Sequence, residues 1–209
     1  MHQPGLALRL QGGWLPAEAR IGLRDHLSAE ISWSQPLVRV HGRLHRVPRL
    51  VAWYGDPGCC YRYSGLRHDP QPWTPLLERL RDGLEEALGL RFNSLLLNRY
   101  RSGFDRMGWH ADDEPELDHR HAIASLSLGA SRDLRFRPRA PLPAPDQREG
   151  RIDAGDAAGP EAFNLALADG DLLLMDPPTQ QHWQHALPVR RRERQERFNL
   201  TFRRIAASG

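Results

Sequence analysis

Between residues 73 and 89 leucine returns every fourth position, as Leu76, Leu80, Leu84 and Leu88, with Leu77 and Ala87 beside the stripe. That period builds the single apolar face of an amphipathic helix. The ends are marked too. Thr74 can accept from a first-turn amide, Pro75 has no amide to leave unsatisfied there, and Gly89 can take the left-handed backbone that stops a helix. A shorter helix is expected over about 16–30, with Ile21, Leu23 and Leu27 as its apolar positions.

Beyond residue 92 the pattern shortens. Segments 92–100, 123–128, 134–137, 163–168, 172–175 and 198–202 are short apolar runs bounded by Gly, Pro or Asp, and read as strands. Six or more strands after two helices predict an α+β fold whose β part is a sandwich or jelly roll. Residues 139–161 are rich in Pro, Ala, Gly and charge, which reads as a long mobile loop inside one domain covering 1–209. There is no internal repeat.

One strand alternates strictly. Phe198, Leu200 and Phe202 face one side, while Arg197, Asn199, Thr201 and Arg203 face the other. Turned to water, the second side is an ordinary outer face. Turned into a jelly roll, it lines a pocket with two guanidiniums, an amide and a hydroxyl, which is a surface for a dicarboxylate.

Length and composition set the outer bounds. At 209 residues the chain is expected to form one domain. No run of 18 apolar residues exists, so no membrane-spanning helix is expected, and the first ten residues carry no secretory h-region. Cys59 and Cys60 are adjacent and cannot build a disulfide framework; the expectation is a reducing, cytoplasmic setting. All 29 basic residues are arginine, on a chain of net charge +3. They gather in two segments, 39–67 and 190–204, each with a local balance of +5. Such segments suit a polyanion, nucleic acid above all, though solvated faces would look the same.

The candidate chemistry begins at His110-Ala111-Asp112. In an extended strand both side chains project to one face and can reach one metal ion. His182 and His185 are the candidates for a third ligand. Two histidines and a carboxylate form the facial set of non-haem iron(II) oxygenases, which leaves positions open for co-substrate and O₂. Zinc competes, but a zinc hydrolase has no need of an arginine pair such as Arg197 and Arg203.

Five ordered motifs carry a resemblance. These are Asn98-x-Tyr100, Trp109-His-x-Asp-Asp-Glu114, Ile123-Ala-Ser-Leu-Ser-Leu-Gly-Ala130, His182-Trp-Gln-His185 and Arg197-Phe-Asn-Leu-Thr-Phe-Arg203. Together they resemble the AlkB family of Fe(II)/2-oxoglutarate dioxygenases, in the subgroup of the human AlkB homologues two and three, over residues 38–205. The resemblance implies a double-stranded β-helix (jelly-roll) core over about 92–205 with N-terminal helices, and a nucleotide-recognition lid over about 36–70. It implies Fe(II) on His110, Asp112 and His185. It implies 2-oxoglutarate on Asn98, Tyr100, Arg197, Asn199 and Arg203, and O₂ as oxidant.

The expected activity is oxidative demethylation of 1-methyladenine- and 3-methylcytosine-type bases in DNA, releasing formaldehyde, succinate and CO₂. The target nucleotide has to be flipped out of the duplex stack. By the same resemblance Tyr61, Tyr63, Asp113 and Glu114 line the base pocket. Val40, His41 and Gly42 form a finger that fills the gap left by the flipped base. Arg49, Arg190, Arg191 and Arg192 contact phosphates. DNA rather than RNA is the expected partner of a monomeric enzyme, and a dioxygenase acting on RNA or protein is the alternative.

Overall fold

The computed structural model describes residues 3–40, 42–59, 61–63, 66–139 and 160–206, with side chains at 39–40, 61–63 and 66–68 left aside. In chain order, β1 (Leu8–Gln11) precedes α1 (Ala17–Ala29); β2 (Leu37–Val40) and β3 (Arg43–Arg46) form a hairpin. Next come β4 (Leu50–Gly55), a second hairpin of β5 (Tyr61–Tyr63) and β6 (Leu66–His68), and α2 (Pro75–Leu88). The remaining strands are β7 (Ser94–Tyr100), β8 (Met107–His110), β9 (Ile123–Gly129), β10 (Arg132–Pro138), β11 (Phe163–Leu167) and β12 (Leu172–Met175). A one-turn α3 (Thr179–His182) leads into β13 (Trp183–Leu187), and β14 (Arg197–Arg203) comes last.

Two antiparallel sheets make the sandwich. The larger runs β1-β12-β9-β14-β7-β4 and the smaller β11-β10-β13-β8. Side-chain alternation divides the larger sheet cleanly. Leu95 and Leu97 of β7, Ala124, Leu126 and Leu128 of β9, and Phe198, Leu200 and Phe202 of β14 share a core with Leu23 and Leu27 of α1 and Leu77 and Leu84 of α2. The helices therefore cover its outer face. The opposite parity looks inward: Tyr100, Ile123, Leu173 and Met175 pack with Leu134, Phe136, Trp183 and Leu187 of the smaller sheet.

Helix α2 forms where its leucine period and caps predict. Thr74 accepts from the Leu77 amide at 3.3 Å, and Gly89 closes the helix at φ 65°. In α1, Leu23 and Leu27 are buried but Ile21 is 56% exposed, so it is not a core position. A larger correction concerns order. Six strands precede α2, so strands do not simply follow helices. β1 and β4 form the two edges of the large sheet, which extends the β core beyond 92–205 and takes β4 out of the expected lid span. The two hairpins are the part of 36–70 that forms separate small sheets. Of the expected loop, 140–159 lies outside the described residues, as do His41 and Cys60. Among the described residues no helix is long and apolar enough to cross a membrane.

Candidate metal centre and dicarboxylate pocket

Strand β14 is central in the large sheet, and its register sets the pocket. Arg197 lies opposite Tyr100 and Asn199 opposite Asn98 on β7, while on its other side Asn199 lies opposite Ser127 of β9. The polar parity of three adjacent strands thus meets on the inner face. It lines a cavity shared with His110, Asp112 and His185. The alternation read from the sequence faces inward, not toward water.

The three ligand candidates converge on this cavity from two strands and a turn. His185 of β13 pairs directly with His110 of β8, and their rings lie 4.2 Å apart. Asp112 is not on a strand: β8 ends at His110, and the chain bends so that the Asp112 amide donates to Gln180 Oε1 at 2.9 Å. His110 and Asp112 thus do not share one face of an extended strand, the arrangement expected from the sequence; a tertiary contact brings the carboxylate round. One ligand atom from each of the three residues lies within 4.8 Å of the others, a set that could hold one metal ion.

The protonation states suit that role. His110 Nδ1 lies 2.9 Å from the Gly108 carbonyl, which can only accept, so Nδ1 carries the proton and Nε2 is left for a metal. Burial, with His110 and Arg203 adding to it, pulls His185 down to about 3 and keeps it a neutral ligand. Burial alone would raise the Asp112 carboxyl, but Arg203 foremost, with both histidines, holds it below the usual carboxylate range. Arg203 Nη2 donates to Asp112 Oδ1, which leaves Oδ2 turned to His185, 3.8 Å from its Nε2.

The arginines fit a dicarboxylate. Arg197 Nη2 donates to Ser127 Oγ at 2.7 Å, yet its buried Nε has no acceptor, and neither has Arg203 Nε. Burial lowers the Arg197 guanidinium to about 10. Two buried cations with spare donors at the two ends of one strand call for an anion with a carboxylate at each end. Between them Asn199 donates to Ser125 Oγ at 2.8 Å and accepts from Thr201, while Tyr100 reaches Met107 Sδ at 3.7 Å.

Other expected positions divide. Arg49 is half-buried and donates to Asn98 Oδ1 at 2.6 Å, on the pocket side instead of on an outer phosphate-facing surface. Arg190 pairs with Asp133 at 2.6 Å, whereas Arg191 and Arg192 are exposed. Asp113 pairs with Arg139 at 2.6 Å and lines a second cleft on the far side of Asp112; Glu114 is half-buried nearby in sequence. Gly42 is exposed, and the side chains of Val40, Tyr61 and Tyr63 lie outside the description. His182 ends α3 and its ring stands against Gly5, away from the three ligands. Sequence reasoning missed Gln180, Met107 and Ser127, which are held by contacts between elements far apart in the chain. Of these, Ser127 alone had a local signal, as the inward parity of β9.

Known proteins share this sequence and fold. Residues 7–203 match the 2OG-Fe(II) oxygenase superfamily. The mouse DNA oxidative demethylase ALKBH2 is 48% identical over 168 residues, 80% of this chain and 66% of the mouse protein. The human alpha-ketoglutarate-dependent dioxygenase alkB homolog 3 is 36% identical over 197 residues, 94% of this chain and 65% of its own length. The chain thus spans slightly under two thirds of the length of these relatives. The solved structure of OsALKBH1 superposes with a TM-score of 0.54 at 18% identity, covering 98% of both chains, which supports the shared fold. With the match running through nearly the whole sandwich that builds the pocket, the chain belongs to the 2OG-Fe(II) oxygenase superfamily.

Proposed function

We propose that this chain is an Fe(II)/2-oxoglutarate-dependent demethylase of N-alkylated bases in DNA. One observation carries the reading: the His110, Asp112 and His185 set opens into the same cavity that Arg197 and Arg203 line. A metal alone would not need the arginines, and an anion site alone would not need the neutral imidazoles. The DNA substrate is supported by relatives that carry the name DNA oxidative demethylase and by the arginine-rich segments.

In this reading His110 Nε2, Asp112 Oδ2 and His185 hold Fe(II), with Arg203 keeping Asp112 ionised and turned. Arg197 with Ser127, Asn199 with Asn98 and Tyr100, and Arg203 beside the metal site, hold 2-oxoglutarate. Bound iron, 2-oxoglutarate and O₂ would supply the oxidation of the N-methyl carbon, with formaldehyde, succinate, CO₂ and a proton as products and the lone pair restored on the ring nitrogen of the neutral base. The protein's own part is orientation and exclusion of water; Phe136, packed 5.9 Å from His185, seals the apolar side. Tyr61, Tyr63, Asp113 and Glu114 receive the flipped base, the acids suiting its positive charge. Val40, His41 and Gly42 fill the gap it leaves, and Arg191 and Arg192 meet phosphates.

The test uses purified protein with Fe(II), 2-oxoglutarate, ascorbate and air. Oligonucleotides carrying one 3-methylcytosine, as single-stranded DNA, duplex DNA and RNA, are followed by mass spectrometry. Loss of one methylene mass that requires 2-oxoglutarate and disappears in His185→Ala is the expected result, fastest on DNA. Succinate formation with every oligonucleotide unchanged would leave the oxygenase and remove the substrate. Faster reaction on RNA would move the assignment to that polymer.

A further inference from the structure

Phe104 is 51% exposed, a large aromatic ring in water on the short segment between β7 and β8. The segment is not a slack loop. Arg101 and Asp105 clamp it from within through three hydrogen bonds of 2.8–3.0 Å. Buried Arg132 donates to the carbonyls of Ser102, Asp105 and Pro188 and ties it to the stretch before Arg190. The Gly103 amide donates to Glu193 O at 3.0 Å, and the Arg190 amide donates back to Gly103 O at 2.8 Å. A side chain at 103 would meet Arg190 O at 1.8 Å, so only glycine permits this approach. On its other side the Arg106 amide donates to Pro48 O at 3.0 Å, next to Arg49.

The backbone that carries this exposed aromatic ring is therefore fastened on both sides to the arginine-rich parts of the chain. Arg106, Arg191, Arg192 and Arg194 are exposed and form no ion pair among the described residues, so the surroundings carry uncompensated positive charge. Tyr100 and Met107, the residues that bracket the segment, both line the metal cavity. An exposed flat ring on a fastened segment, bonded through its backbone to arginine-rich stretches and bracketed by two residues of the metal cavity, matches a base-stacking platform on a phosphate-tracking groove. An apolar protein partner would not need the arginines, and phosphate alone would not need the ring.

We propose that Phe104 stacks against an unpaired base of the substrate strand outside the metal pocket, while the neighbouring arginines hold its phosphates. This rests on the nucleic-acid reading above and adds a second contact point that sets how the strand lies. The experiment is fluorescence anisotropy and steady-state kinetics on a single-stranded oligonucleotide with one 3-methylcytosine, using wild type, Phe104→Ala and Phe104→Trp. The Phe104→Ala protein is expected to bind roughly tenfold more weakly, with KM raised by a similar factor, and Phe104→Trp to recover the loss. An abasic site moved one position at a time should find one place where wild type drops to the variant's affinity and the variant loses nothing more.

Phe104→Ala binding within twofold of wild type, while wild type binds and demethylates, would overturn the platform and leave the activity intact. So would a tenfold loss that no abasic position absorbs, which would mean a displaced loop. Self-association of the protein abolished by Phe104→Ala in sedimentation would make the ring a contact between copies instead. If wild type neither binds nor demethylates any strand, the functional reading fails first and the platform with it.

Discussion

Asp112 divides its two oxygens between a cation of the protein and the place for a metal. Arg203 takes Oδ1, and Oδ2 remains beside His185. Removing the arginine leaves a buried carboxylate with no partner of opposite charge, a change that commonly costs about 3–5 kcal/mol. Arg203→Met is therefore expected to lower the denaturant midpoint markedly and to lose bound iron, measured by urea titration and by metal content after desalting. His185 gives a prediction of definite sign. Its folded value is about 3 against an ordinary 6.5, so between these the unfolded chain binds the extra proton. Metal-free protein should lose stability as pH falls from 6.5 toward 3, and Asp112, lowered too, adds in the same direction below 3.8. Thermal melts of the metal-free protein across that range check it, and His185→Gln should flatten the slope.

At the scale of elements, the most informative features in the sequence were those with local rules. Strand β14 was legible because its alternation is strict, and α2 because its leucine stripe ends in Thr74 and Gly89. The Thr74 hydroxyl also lies 3.1 Å from His26 Nε2 of α1, so Thr74→Ala removes a cap and an inter-helix contact together. A loss of about 1 kcal/mol or somewhat more is expected in urea unfolding, with little change in 2-oxoglutarate affinity. The hairpin of β2 and β3 carried no such signal: Arg43, Leu44, His45 and Arg46 are all exposed, so no buried face imposes a period. Asp112 could be assigned as a ligand only through the motif, since its position depends on Gln180, 68 residues away. The turn of Arg49 toward Asn98 is likewise a contact across 49 residues that no local pattern encodes.

The molecule as a whole sets its charged pocket against the apolar core between the sheets, with a second apolar core under the helices on the other face of the large sheet. Arg197 and Arg203 stay buried there at a desolvation cost that a bound dicarboxylate would offset. 2-Oxoglutarate should therefore stabilise the entire cooperative unit, by about 2.7 kcal/mol at a hundredfold excess over its Kd. A thermal shift seen with 2-oxoglutarate, and lost in Arg197→Ala, is the expected outcome; no shift at saturating ligand would remove the dicarboxylate assignment.

Strand β1 has a part in this architecture that is separate from the pocket. It lies along the outer margin of β12, whose four residues Leu172 to Met175 are all buried. It is fastened there by the Arg9–Asp176 ion pair at 2.7 Å and by the Gly13 amide on Asp171 Oδ1 at 2.8 Å. Without β1, a Leu-Leu-Leu-Met ribbon with unpaired amides and carbonyls would become the flank of the sheet. Such a flank is a template for strands of other molecules. The first strand thus makes β12 an interior strand and moves the edge of the sheet from a buried apolar ribbon to a short segment whose exposed residues include Arg9 and Gln11.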